Sequence, residues 1–206
     1  MSDPAEKRRA TYQDVLDAPA HQVAELVAGE LHLSPRPAGP ATAVASTLGG
    51  ELHAPFHRGH GGPGGWLILD EPELHFGDEI VVPDLAGWRR ARLALVPDAA
   101  FITVAPDWIC EVLSLSTERF DRAEKMPLFA SVGITYAWLI HPRRRTLEAF
   151  RLHDGKWLSI GVYKDSDRAR IEPFDAIELD LAVLWADVPL PTKASESPGH
   201  YAFEGY

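Results

Sequence analysis

The alternation of apolar and polar positions divides the chain into short elements. Residues 11–16 predict a short helix, with Thr11 and Asp14 spaced as a capping pair. Residues 23–27 and 30–34 flank Ala28-Gly29 and predict a β-hairpin. Residues 35–40 form a proline-rich connection. Residues 41–53 set Val44, Leu48 and Leu52 at helical spacing and predict a helix, interrupted at Pro55. Residues 59–65, rich in glycine, predict a flexible loop. Strand-like runs follow at 66–69, 73–76, 80–88 and 107–113, with Gly77-Asp78 as the turn between the second and third. A helix is predicted over 121–132, with Asp121 and Glu124 as its capping box, Pro127 in its first turns or at a kink, and Gly133 as its stop. Residues 136–140 are an apolar strand, and 146–152 and 156–162 flank Asp154-Gly155, a strong type I′ hairpin signal.

Helix, strand meander, helix, strand and further strands in this order predict an α/β (α+β) fold: a mixed β-sheet flanked by helices, with extra β-hairpins. Length suits an N-terminal extension over 1–10, one domain over 11–188, and a Pro-, Ser- and Gly-rich tail over 189–206. No internal repeat is visible.

Composition changes this picture in two places. Cys110 is the one cysteine, so a disulfide framework is excluded and a reducing, cytoplasmic setting is expected. No apolar run approaches the roughly 20 residues a membrane span needs, and the polar start lacks a signal-peptide core, so no membrane partner is expected. The net charge of −10 argues against strong non-specific affinity for nucleic acid. The charge is uneven, however. Residues 165–206 carry 9 acids and 3 bases, against 21 acids and 17 bases over 1–164, so the larger part can still present a basic face.

Two carboxylates sit where carboxylates are costly. Asp84 follows the apolar run Ile80-Val81-Val82 and Pro83. Glu111 lies mid-strand in Asp107-Trp-Ile-Cys-Glu-Val-Leu-Ser114. Alternation places Ile109, Glu111 and Leu113 on one face and Trp108, Cys110 and Val112 on the other, so both faces are otherwise apolar. An ionised carboxylate there needs a cationic partner or a metal. Two such groups side by side suit Mg²⁺ or Mn²⁺, a neighbouring Arg or Lys being the plainer partner. Lys125 lies on the following helix, four residues after Asp121 and on the face of Leu128, Phe129 and Val132. Taken alone, such a lysine is more often a surface residue with a buried stem.

The runs Val82-Pro-Asp84-Leu-Ala, Asp107-Trp-Ile-Cys-Glu111-Val-Leu-Ser114-Leu-Ser-Thr117, Asp121-Arg-Ala-Glu-Lys125-Met and Tyr136-Ala-Trp138-Leu-Ile-His-Pro142 resemble the Uma-type bacterial family of restriction-endonuclease-like proteins, within the PD-(D/E)XK nuclease superfamily. Val23-Ala-Glu25-Leu-Val-Ala-Gly29-Glu30-Leu and Ser34-Pro35-Arg-Pro37 are similar to that family's opening. The resemblance covers roughly residues 10 to 185 and implies a restriction endonuclease-like core. It implies a metal-dependent endonuclease acting on DNA, with Asp84, Glu111 and the Val112 carbonyl holding Mg²⁺ or Mn²⁺. The usual ExK lysine would fall at position 113, where this chain has Leu113, and the resemblance implies that Lys125 replaces it. A further acid near the first helix is common in the superfamily, and Glu30 and Glu51 are the candidates.

Arg89 and Arg90, with Arg92, follow the Asp84 strand, and Arg122 sits beside Lys125; these are candidate phosphate contacts, as is the cluster Arg143, Arg144 and Arg145. Runs of charge in turns are more often simply solvated. The glycines of 59–64 match GxGxxG by letter but follow a helix and precede a strand, the reverse of a dinucleotide fingerprint. His53, His57 and His60 lack zinc-site spacing. Two further readings stand beside the nuclease: a catalytically inactive module binding nucleic acid or protein on the same fold, and a homodimer pairing through its hairpins.

Overall fold

The structure, a computed structural model, describes residues 8–37 and 39–189. Most of the sequence-predicted extension and tail therefore lies outside the described residues.

A short helix α1 (Tyr12–Leu16) opens the chain. The Thr11 N–H and hydroxyl both donate to Asp14 Oδ2, at 2.7 and 2.9 Å, as the capping pair predicted. Strands β1 (Gln22–Val27) and β2 (Glu30–Pro35) form the first hairpin. Its turn places Ala28 at φ 54° and Gly29 at φ 78°, the two left-handed positions of a type I′ turn. Helix α2 (Pro40–Leu52) continues into a π-helical turn over His53–His57. Pro55 thus widens the helix rather than ending it, because a π turn tolerates the missing N–H. The following glycines are an ordered loop rather than a loose one. The His60 N–H donates to Ala54 O at 2.7 Å and the Gly64 N–H to Pro55 O at 2.9 Å.

The predicted strand over 80–88 is two strands in two sheets. β4 (Leu74–Phe76) and β5 (Glu79–Val81) join the first hairpin in a small antiparallel sheet ordered β2-β1-β5-β4. Val82-Pro83-Asp84 then carries the chain across to β6 (Leu85–Arg89). Proline cannot continue the ladder, so the break falls there. β6 lies in the main sheet with β3 (Trp66–Asp70), β7 (Trp108–Val112), β8 (Tyr136–His141), β9 (Thr146–His153) and β10 (Lys156–Lys164). Its order is β10-β9-β8-β7-β6-β3. β7 and β8 run parallel and the other neighbouring pairs are antiparallel, so the sheet is mixed.

A helical run crosses over between the parallel pair: α3 (Glu118–Phe120), a π turn over Asp121–Lys125, and α4 (Met126–Ser131). It begins three residues before the predicted start. Asp121 is therefore inside the run and not its capping residue, and Thr117 stands at the N-cap. The π turn immediately precedes Pro127, whose ring and missing N–H an ideal α-turn would not accommodate.

The alternation read from β7 holds. Trp108, Cys110 and Val112 join α2, Phe56 and the C-terminal Ile171, Phe174 and Trp185 in one core. Ile109 and Leu113 join Val81, Met126 and Phe129 in the other, between the main sheet, the small sheet and α4. In the first core, Phe174 lies 4.7 to 5.6 Å from the rings of Phe56, Trp66, Trp108 and Trp138. In the second, a charged cluster is embedded in apolar packing.

Candidate active site

Register brings the two predicted carboxylates together. β6 pairs β7 with Leu85 opposite Cys110, and extending that ladder by one position sets Asp84 against Glu111. Both then face the second core. The Val112 N–H donates to Asp84 Oδ2 at 2.6 Å, fixing the carboxylate against β7.

Lys125 enters from the helical run. Asp121, Lys125 and Phe129 are spaced by four, so they share the face turned to the sheet. Lys125 is 2% exposed, and its stem and ammonium are both buried. The Nζ atom lies 2.7 Å from Glu111 Oε1, 2.9 Å from Glu25 Oε1 and 3.9 Å from Asp121 Oδ1. It also donates to Val82 O at 3.4 Å. Glu25, on β1, accepts the Val82 N–H at 2.9 Å through the same oxygen, tying the small sheet to the connector that bears Asp84.

Three carboxylates thus surround one ammonium, with Asp84 as a fourth acid beside them. Burial pushes the Asp84 carboxyl up to about 6; the Val112 N–H and Lys125 oppose this, while Asp121 and Glu71 add to it. Burial likewise lifts Asp121 to about 6, against the pull of Lys125 and of a hydrogen bond from Thr117. Glu111 is raised by burial and by Asp121, Asp84 and Glu25, with Lys125 opposing. For Lys125, burial favours the neutral amine, but Glu111, Glu25 and Asp121 outweigh it and hold the group protonated. The cluster is short of positive charge. Glu25, Glu111, Asp121 and Lys125 are buried, and Asp84 alone among the five is only partly buried as a residue.

The donor set fits a hard divalent cation: carboxylate oxygens, a backbone carbonyl within reach on β7, and an excess of negative charge. Among the described residues no group of three or more His, Cys, Asp or Glu side chains forms a ready-made metal cage.

The other sequence candidates lie elsewhere. Glu30, beside the hairpin turn, and Glu51, on the outer side of α2, are both exposed. The hairpin acid that reaches the cluster is Glu25, two positions into the apolar strand Val23–Val27; the argument applied to Glu111 would have found it. Asp121 was visible as the residue four before Lys125 but was assigned to a cap. Three of the arginine candidates, Arg89, Arg90 and Arg122, have partners within the fold. Arg89 stacks 4.7 Å over Trp66, and Arg90 donates to Ala94 O at 2.9 Å. Arg122 donates to Glu118 at 3.2 Å and pairs with Glu148 through both terminal nitrogens. Leu113 is buried in the second core, leaving position 113 without a cation. Cys110 is fully buried, its thiol raised by burial, and serves as a core residue.

The model of the Uma2 family, described as "Putative restriction endonuclease", matches residues 10–183. The chain belongs to the Uma2 family. A search of curated proteins gives no match. Among solved structures, the chain is similar to one titled a "putative nuclease belonging to DUF820", from Anabaena variabilis ATCC 29413. The two share 22% identity and a TM-score of 0.68, over 86% of this chain and 98% of the other. That likeness shows a common fold. In this Uma2 chain the fold brings Asp84, Glu111 and Lys125, dispersed over 42 positions of sequence, into one cluster. No helix among the described residues is long and apolar enough to cross a membrane.

Proposed function

We propose that this Uma2 protein is a metal-dependent endonuclease that hydrolyses phosphodiester bonds, with DNA as its substrate. The observation that carries the reading is the convergence of Asp84, Glu111 and Lys125 in a cluster with more carboxylates than cations. Asp84, Glu111 and the carbonyl of Val112 would hold Mg²⁺ or Mn²⁺. When bound, the cation polarises the phosphodiester and lowers the pKa of the attacking water.

The chain's own groups do the rest. The Val112 N–H orients the Asp84 carboxylate. Glu25 and Asp121 hold the Lys125 ammonium in place and charged. A fixed cation at that point stabilises negative charge as it develops on the phosphate. Apolar packing around the cluster lowers the local dielectric and strengthens that effect.

Incubation of plasmid and single-stranded DNA with the protein in Mg²⁺ or Mn²⁺ tests the reading. Cleavage is expected, and chelator or Glu111→Ala abolishes it. Nucleic-acid binding without cleavage, indifferent to chelator, would instead favour a non-catalytic module, consistent with Leu113 at the usual lysine position.

A further inference from the structure

A nuclease of net charge −10 must still hold a polyanion beside a carboxylate cluster, so a cation is needed at the cluster's open side. Lys125 is taken up by the cluster's own carboxylates, and Arg89, Arg90 and Arg122 have partners elsewhere. Asp84 is the one residue of the cluster that is not fully buried, and Glu71 is among the charges that bear on its carboxyl. The Glu71 N–H donates to the Asp84 carbonyl at 3.0 Å. Glu71 adopts φ 45°, a left-handed conformation uncommon for a glutamate, as the chain leaves β3. Its carboxylate is 44% exposed and meets Arg36 Nη1 at 3.6 Å. Arg36 is itself 56% exposed and stands between Pro35 and Pro37, which restrict the backbone that presents it.

An exposed ion pair this long contributes little to stability, so the fold does not require it. Its position is what matters: Arg36 pairs with Glu71, whose N–H is bonded to the Asp84 carbonyl and whose charge bears on the Asp84 carboxyl. Arginine matches phosphate oxygens in a bidentate geometry, and its contact with Glu71 is weak enough to exchange.

We infer that Arg36 is the substrate-side cation of this site, exchanging Glu71 for a phosphate group of the nucleic-acid backbone. The inference rests on the nuclease reading and supplies its missing strand contact. The contact is sequence-independent, since it reaches phosphate and not a base edge. Glu71 acts as the competing anion that keeps Arg36 in place when no strand is bound.

Fluorescence anisotropy with a short labelled DNA, single-stranded and duplex, tests this in chelator over a salt series. Arg36→Ala is expected to raise Kd roughly fivefold and to lower the salt slope by about one. Glu71→Gln, which removes the competing anion, is expected to tighten binding. Unchanged melting temperatures for both variants would confirm that folding is not the cause. Wild-type binding with Arg36→Ala unaltered in Kd and slope would overturn the assignment of Arg36 alone, as would weaker binding by Glu71→Gln. A wild-type protein that binds neither DNA would overturn the nuclease reading and this assignment together.

Discussion

At Lys125 a single ammonium faces Glu25, Glu111 and Asp121 with almost no access to water. Removing it leaves buried carboxylates uncompensated, which typically costs about 3–5 kcal/mol. Lys125→Met is therefore expected to lower the denaturation midpoint sharply, measured by urea unfolding. Asp84 gives the opposite sign. Its folded carboxyl titrates at about 6 against an ordinary 3.8, so between these values the folded chain keeps a proton that the unfolded chain has released. Stability falls as pH rises through that window, and the loss is complete above about 6. Asn at this position keeps an acceptor for the Val112 N–H without the charge. Asp84→Asn is expected to raise the melting temperature by roughly 3 °C at neutral pH, an effect of about 1 kcal/mol, with the gain vanishing below pH 3.8. A variant that melts below the wild type at neutral pH would contradict this.

At the scale of elements, the glycine loop after the first π turn is packed rather than free. A Cβ on Gly62 would come within 2.5 Å of Pro55 Cβ and 2.8 Å of its carbonyl. Gly62→Ala is expected to destabilise the protein by about 1–3 kcal/mol, read from thermal melting, because Pro55 sits within a helical turn and cannot move aside freely. Elements like this one show which parts of the fold were legible in the sequence. The two hairpins were, because Ala28-Gly29 and Asp154-Gly155 take positive φ at both turn positions and fix the register of their strands. The two faces of β7 were, because strand alternation is strict. The break at Val82-Pro83 was not, since an apolar run has no mark for passing from one sheet to another; Pro83 was the only hint. Nor were the π turns, which depend on how a helix absorbs a proline. Within the cluster, Asp84 and Glu111 stood out in the sequence by cost of burial, and Lys125 by resemblance alone. Glu25 was not connected to them, because its contact with Lys125 spans 100 residues and depends on the small sheet docking.

Across the whole molecule, two sheets and a crossover helix meet at one charged point. The small sheet contributes Glu25, the main sheet Asp84 and Glu111, and the helical run Asp121 and Lys125. No element holds the cluster alone, so each side chain's position depends on tertiary packing. On the nuclease reading, this convergence forms a single divalent-cation site. Titration of Mn²⁺ by calorimetry at about pH 7.5 tests it most directly, comparing the wild type with Asp84→Asn, Glu111→Gln and Glu30→Gln. One site per chain is expected, lost in Asp84→Asn and Glu111→Gln and retained in Glu30→Gln. Binding that survives both substitutions at the cluster would contradict it.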